Sequence, residues 1–272
     1  MAIATALQDS GTALRRNPIV VVVPVVLALL QLPTQLAELA GPFVSTAVGA
    51  VSSIVVLVTA PFVFGGLVGM AAEALDGTTD VGTFVAAGKR HYTSMLGAYL
   101  LLLGALIVLW FVASLVSLAV VAGLGVLSGG PSGSAMPTFV AMFLLGTVVY
   151  LFVLFVPTFF LQFYGQAIVL DGASAVSGFG HSAGLVRTNL VPVLGYSLVV
   201  LGAGLVVGLL ASAPSMLLSA QVTQLPPSVS LPDLALPVTV ALTVVGDLVL
   251  GVLGGLFLVF SVAFYRTLDA AD

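Results

Sequence analysis

The sequence predicts an all-α, polytopic integral membrane protein, a helical bundle with about six transmembrane helices. Of its 272 residues, 60% are hydrophobic and only 6% are charged, whereas soluble domains carry about 25% charged residues. The mean hydropathy is +1.29, and long stretches contain no charge at all. So little polar surface leaves lipid as the solvent for most of the outside, and predicts a multi-pass protein of the cell membrane.

Charge-free stretches locate the spans, because a helix needs about 20 apolar residues to cross the hydrocarbon. The stretch 92–170 has no charge and is long enough for two spans, divided by the Gly-, Pro- and Ser-rich segment 128–137, which favours turns. A second proline-rich segment, 221–232, closes the fifth span. Several spans exceed the hydrocarbon thickness and must tilt or bend, and Pro61 and Pro157 predict kinks. The predicted spans are 18–36, 44–74, 96–127, 138–170, 190–217 and 236–265.

The basic residues predict the orientation, because Lys and Arg mark cytoplasmic loops. All six lie on the same side of the predicted membrane spans. The loops on the opposite side contain Glu38 and Asp233 as their only charged residues. Both termini are therefore expected in the cytoplasm. A cleaved secretory signal is the alternative, but the first apolar stretch is long, contains Pro24 and lacks a following A-x-A site. The six basic residues are Arg15, Arg16, Lys89, Arg90, Arg187 and Arg266.

Spans two, four and six end in a shared signature, whose Asp residues are 95 and 98 positions apart. Weakly amphipathic stretches precede spans one, three and five, at 3–16, 80–91 and 175–187. Together they predict one transmembrane domain, 1–272, built from three two-span units at about 1–77, 78–172 and 173–272. The alternative is that Asp-Gly turns merely recur at helix ends. The signatures are Leu75-Asp76-Gly77, Leu170-Asp171-Gly172 and Leu268-Asp269-Ala270, in which Gly77 and Gly172 suit a left-handed helix-ending position.

The amphipathic stretches allow two interpretations. They could lie at the cytoplasmic headgroup level with their basic residues toward anionic lipid, or they could be connectors that pack under the bundle. Small-residue pairs with GxxxG spacing predict close helix packing within the chain, with a homodimer face as the alternative. These pairs are Gly65/Gly69, Gly204/Gly208 and Gly251/Gly255.

Three segments carry a family resemblance: ALRRNP at 13–18, GMAAEALDG at 69–77 and AIVLDGASAVSGF at 167–179. With these, the chain resembles a family of uncharacterised haloarchaeal six-span membrane proteins. It is distantly similar to the membrane domain of some glycerophosphoryl diester phosphodiesterases. The resemblance implies a helical membrane bundle with no known activity. The catalytic barrel of those phosphodiesterases has no counterpart here, so no phosphodiesterase function is carried over. The Ala-, Val-, Gly- and Leu-rich, lysine-poor composition is archaeal-like.

Asp247 is the most unusual residue, since it lies inside the last predicted span. A carboxylate within the bilayer is costly and usually faces the bundle interior. One interpretation is a proton or cation site in a permeation path. The other is a structural Asp that is hydrogen-bonded to Thr243, one turn earlier, or to a hydroxyl on a neighbouring helix. Asp247 and Thr243 therefore form a candidate intramembrane ion site.

A second polar set lies near the inner ends of spans two and four. Gln162 and Gln166 are four residues apart and are expected to share one helix face. With Glu73, at the matching end of span two, they could line a cytoplasmic vestibule. The alternative is ordinary hydrogen bonding between helices.

Several chemical classes are excluded by composition. The chain has no cysteine, which rules out disulfides and thiolate sites. Two histidines are too few for a histidine metal centre unless carboxylates complete the ligand set. Intramembrane aspartyl chemistry needs paired acids, and no Ser–His–acid arrangement is suggested. We therefore expect no enzyme, metal, cofactor or nucleic-acid partner. The expected function is non-catalytic: membrane organisation, or docking of lipid or a protein partner at the cytoplasmic face. The alternative is a small-solute or ion permease that uses Asp247.

Overall fold

The computed structural model describes residues 2–37, 40–127, 135–222 and 236–270. These ranges contain helices and short turns and no strand. The helices are α1 (Ala2–Arg16), α2 (Ile19–Leu29), α3 (Leu32–Ala37), α4 (Pro42–Asp76), α5 (Val81–Leu127), α6 (Ala135–Leu161), α7 (Tyr164–Leu170), α8 (Ala175–Thr188), α9 (Leu190–Val222) and α10 (Leu236–Asp269).

Five stretches of the described chain are long and apolar enough to cross a membrane: Ile19–Ala37, Pro42–Asp76, Val81–Ala119, Leu190–Leu209 and Val240–Asp269. The region of the predicted fourth span contains a shorter apolar helical stretch, Phe155–Leu170, which runs from the end of α6 into α7. The all-helical membrane class is thereby confirmed. Most of the predicted turn segment 128–137 and of 221–232 lies outside the described residues, as do Glu38 and Asp233.

The first predicted span is not one helix, because α2 ends at Leu29 and α3 begins at Leu32. Pro33 explains the break. A proline has no amide hydrogen to give to the carbonyl four residues earlier, and its ring disfavours the helical conformation of the residue before it. The prolines that were expected to distort helices behave differently: Pro61 and Pro157 lie inside unbroken helices. A bend at either proline stays a prediction.

The fourth predicted span is also interrupted, between α6 and α7. The hydroxyl of Ser182, on α8, accepts the amide hydrogen of Phe163 (3.1 Å) and donates to the carbonyl of Phe160 (2.9 Å). Ser182 is buried. One side chain thus replaces the hydrogen bonds that a continuous helix would have made.

The core lies at one end of the bundle, where α1 and α8 meet the C-terminal ends of α4, α7 and α10. We call it the charged end, because it carries Asp76, Asp171 and Asp269. The largest fully buried side chains gather here: Tyr265, Phe163, Phe264, Met70, Ile168 and Leu268. By contrast, long apolar side chains are exposed along the rest of the helices, for example Ile54, Trp110 and Leu205. That is the pattern expected where lipid rather than protein surrounds a helix.

Two of the three small-residue pairs pack against another helix of the chain, as predicted. A Cβ at Gly69 would lie 2.3 Å from the Cβ of Ala87 on α5, and one at Gly251 would lie 2.4 Å from the Cα of Val25 on α2. The pairs Gly65/Gly69 and Gly251/Gly255 therefore allow close helix contacts. The third pair differs: a Cβ at Gly204 or Gly208 would meet no described atom within 4 Å.

The two glycines of the repeat turns also differ. Gly172 has φ +67° and ends α7 in the left-handed conformation, as predicted. The same prediction for Gly77 is wrong, since its φ of 178° is extended. Asn17 supplies the reason: its side-chain amide donates to the carbonyls of Ala74 (3.3 Å) and Gly77 (2.8 Å). A side chain from α1–α2 therefore caps α4, and no left-handed turn is needed.

A Gly251→Ala substitution should test the α2–α10 contact. The added methyl group collides with the α2 backbone, and we expect a loss of about 1–3 kcal/mol in the free energy of unfolding. Gly254→Ala is the matched control on the same helix, because a Cβ there meets nothing within 4 Å. It should be neutral or stabilising by up to about 1 kcal/mol. The measurement is reversible unfolding in detergent micelles. Equal effects of the two variants would contradict the packing.

Candidate functional site

The turns of the three predicted units meet at the end of α10. Arg266 donates two hydrogen bonds to Asp76, from Nη1 to Oδ1 (2.7 Å) and from Nη2 to Oδ2 (3.0 Å). A guanidinium and a carboxylate match in this two-bond geometry, which fixes orientation as well as distance. The last turn of α10 therefore holds the end of α4 in register.

The residue beside Arg266 holds the second turn. The hydroxyl of Tyr265 donates to the carboxylate of Asp171, and the Tyr265 ring is buried in the core. His181, on α8, places its Nε2 3.5 Å from Oδ2 of Asp171 and 3.8 Å from Oδ1 of Asp269. Asp76, Asp171 and Asp269, the candidate repeat-turn residues, thus lie around two neighbouring side chains of α10.

Five basic side chains are exposed at this end and have no carboxylate partner in an ion pair among the described residues. They come just before α2, within the first turns of α5 and just before α9. We call them the basic collar, which consists of Arg15, Arg16, Lys89, Arg90 and Arg187. Arg266 differs from them because Asp76 neutralises its charge.

Part of the collar lies on the apolar side of the acidic turns. Gly88, next to Lys89, packs against Phe62, which precedes Asp76 by 14 positions, or roughly 21 Å along a helix. The Arg187 guanidinium carbon lies 5.8 Å from the centre of the Phe160 ring, and Phe160 precedes Asp171 by 11 positions. Here the exposed cations therefore lie nearer to the spans than the acids do.

A polar cavity of about 420 Å³ opens between α1, α4 and α10. Its charged lining consists of Asp9, Arg16 and Arg266, and Thr12 and Thr267 add hydroxyl groups. Because both charge signs are present and Arg266 is already bonded to Asp76, this lining favours no single class of ligand. Nowhere in the described ranges do three His, Asp or Glu residues come together to hold a metal ion.

Asp247 is held by a residue that sequence reasoning did not single out. Its side chain is 4% exposed, and the amide of Gln35 donates to both carboxylate oxygens, at 3.1 and 3.2 Å. Gln35 belongs to α3, the short helix after the break in the first span. Thr243 lies one turn before Asp247 on α10 and is partly buried. The sequence did contain one indication of this partner, because Gln35 is a polar residue inside an apolar span and lies close to Pro33.

The short helix α3 is fixed on a second side by Thr34. Its hydroxyl lies 2.9 Å from the hydroxyl of Ser52 on α4. Adjacent residues of α3 thus reach two different helices, Thr34 to α4 and Gln35 to α10. Through Gln35, the Asp247 carboxylate thus contacts a helix that is not continuous with α2.

The three candidate vestibule residues form hydrogen bonds to different partners. Glu73 is exposed and accepts a hydrogen bond from Thr83 on α5. Gln162 bonds to the Phe159 carbonyl (2.9 Å) and to Ser197 (3.3 Å), while buried Gln166 donates to Ser261 on α10 (2.7 Å). Gln162 lies in the interruption between α6 and α7 and Gln166 lies on α7, so a shared face for the two glutamines stays a prediction. The vestibule itself stays a prediction.

A family match covers almost the whole chain. Residues 1–268 match a domain of unknown function, DUF7847. The chain belongs to this family. No curated protein and no solved structure matches it. Membership of DUF7847 agrees with the expectation of an uncharacterised family. It shows no similarity to haloarchaeal proteins or to glycerophosphoryl diester phosphodiesterases, so that part of the resemblance stays a prediction.

The Gln35–Asp247 pair can be tested by a double-mutant cycle in this DUF7847 member. Gln35→Leu should lower the free energy of unfolding by about 1–3 kcal/mol, since it leaves a buried carboxylate without its donor. Replacing both partners, Gln35→Leu with Asp247→Leu, should bring stability back toward the wild type. Gln31→Leu, at an exposed site beside the break, is the control and should change stability little. Strictly additive losses at Gln35 and Asp247 would refute the pairing.

Proposed function

We propose that the protein is a non-catalytic, multi-pass membrane protein that docks anionic phospholipids through the basic collar. The observation that carries the proposal is the collar itself: five exposed cations without carboxylate partners among the described residues, next to the apolar helices. Each Lys or Arg near an anionic membrane surface contributes about 1 kcal/mol of attraction. The acidic turns offset this charge less at Lys89 and Arg187, because these two residues lie beside Phe62 and Phe160, on the apolar side of the turns.

The proposal includes six spans in three two-span units, with both termini in the cytoplasm. Asn17 and Asn189 support the repeat, since each donates its side-chain amide to the carbonyl four residues earlier, at 3.1 and 3.2 Å. Both follow an amphipathic helix and precede a span. An interfacial position of α1 and α8 is supported by the burial of one face of each helix. The buried residues are Ala6, Ser10 and Ala13 on α1, and Ser182, Leu185 and Val186 on α8. Arg15 and Arg16 lie in the last turn of α1, and Arg187 lies in the last turn of α8.

A permease that uses Asp247 has less support. A transported ion would have to compete with the two hydrogen bonds from Gln35 and reach a side chain that is almost fully buried. The same carboxylate also ties α3 to α10, so releasing it would loosen the first span. Permeation is therefore the second candidate function, and we propose that Asp247 stabilises the bundle by holding α3 against α10.

Lipid enrichment tests the proposal. The protein is reconstituted in vesicles with equal amounts of anionic and zwitterionic phospholipids of the same chain length, and retained lipids are counted after mild detergent extraction. We expect several-fold enrichment of the anionic lipid. It should fall in Arg15→Gln/Arg16→Gln and in Lys89→Gln/Arg90→Gln, and also in 1 M salt, which screens exposed charges beyond about 3 Å.

The matched control keeps the charge: Arg15→Lys/Arg16→Lys should retain the enrichment. Each Gln double variant leaves four basic residues on the same side, which preserves the charge bias that orients the spans. Retention of both lipids in the proportion of the vesicle by the wild-type protein would overturn the proposal.

A further inference from the structure

The α4–α5 pair carries an open surface groove of about 390 Å³, lined by Val58, Thr59, Phe62, Lys89 and Tyr92. We propose that this groove binds one anionic phospholipid, with the phosphate on the Lys89 ammonium and an acyl chain along Val58 and Phe62. The inference rests on the proposed function and locates one specific lipid-binding site within the basic collar.

Glycine packing shapes the groove. A Cβ at Gly88 would lie 2.8 Å from the ring and the carbonyl oxygen of Phe62, and a Cβ at Gly66 would lie 2.5 Å from the carbonyl oxygen of Phe84. Without side chains at Gly66 and Gly88, α4 and α5 approach closely, and the Phe62 and Phe84 rings meet edge to face at 5.6 Å. These contacts hold the Phe62 ring in place, so that it forms an apolar side of the groove that also contains Lys89.

The charge at the rim is available to a ligand. Lys89 is exposed and forms no ion pair with a described carboxylate. The three acids nearest in sequence have other partners: Asp80 Oδ1 accepts the Thr83 amide hydrogen (2.9 Å), Asp76 pairs with Arg266, and Glu73 accepts from the Thr83 hydroxyl. Arg90 adds a second exposed cation. A phosphate therefore meets positive charge at the open edge of the groove.

Tyr92 forms the opposite wall. Its hydroxyl donates to the carbonyl of Val58 (3.0 Å), three residues before Pro61, and so fastens the first part of α5 to α4. The remaining lining consists of Val58, which is 52% exposed, the Phe62 ring and Thr59, whose hydroxyl donates to the Val55 carbonyl (2.8 Å). Among the lining residues, a free phosphate would find only the Lys89 ammonium uncommitted, because the Thr59 and Tyr92 hydroxyls already donate to the carbonyls of Val55 and Val58. A phospholipid would also cover the apolar surface. The shape and charge together favour the lipid.

Native mass spectrometry of protein extracted from the mixed vesicles tests the site. The wild-type protein should carry one tightly retained anionic lipid. Lys89→Gln should reduce its occupancy about fivefold, which corresponds to one interfacial charge, and Lys89→Arg should restore it. Val58→Trp fills the groove without changing charge and should also displace the lipid. The matched control is Arg15→Gln, which removes one collar charge outside the groove and should leave this lipid bound.

The outcomes separate the site from the proposed function. Unchanged occupancy in Lys89→Gln, with anionic enrichment preserved in the wild type, would overturn the groove and leave the collar standing. An equal loss in Arg15→Gln would likewise show that the collar as a whole retains the lipid. Displacement of the lipid by inorganic phosphate in the buffer would assign the site to a free anion and refute the inference.

Discussion

The difference between water and lipid as solvents is the constraint on which this structure depends. Burying a large apolar side chain away from water contributes about 1.5–3 kcal/mol, but helices that meet within lipid gain no such hydrophobic stabilisation. The buried side chains accordingly gather at the charged end, around Tyr265, Phe264 and Phe163. Between the spans, contact relies instead on small residues such as Gly251 and on polar pairs such as Gln35–Asp247.

At the charged end, apolar packing contributes most of the stability, whereas polar contacts determine how the helix ends align with one another. The Arg266–Asp76 pair is partly exposed, with side chains 36% and 69% accessible, and such pairs contribute at most about 1 kcal/mol. Its two-bond geometry nevertheless fixes where α4 ends against α10. The same pair distinguishes Arg266 from the five collar cations, which form no ion pair with a described carboxylate, and that links the fold to the proposed lipid docking.

Sequence alone was sufficient for the helical membrane class, the positions of most helices and the close packing at Gly69 and Gly251, because charge-free length and residue size determine these features. It was insufficient for contacts between distant segments. Gln35 as the partner of Asp247, Ser182 as the interruption of the fourth span and Asn17 as the cap of α4 all depend on tertiary neighbours. Pro33 was a local signal for the broken first span, whereas Pro61 showed that a proline alone does not predict a break.

The central claim of the proposal is that the Lys89–Arg90 part of the collar lies at lipid headgroup level while the acidic turns stand in water. Because the chain has no cysteine, single cysteines at the exposed residues Thr78, in an acidic turn, and Thr93, one turn beyond Lys89, can carry spin labels. Power-saturation measurements in anionic vesicles should find the Thr78 label fully accessible to a water-soluble nickel relaxant. The Thr93 label should lie at the depth of the phosphates. Equal aqueous accessibility of both labels would contradict the account.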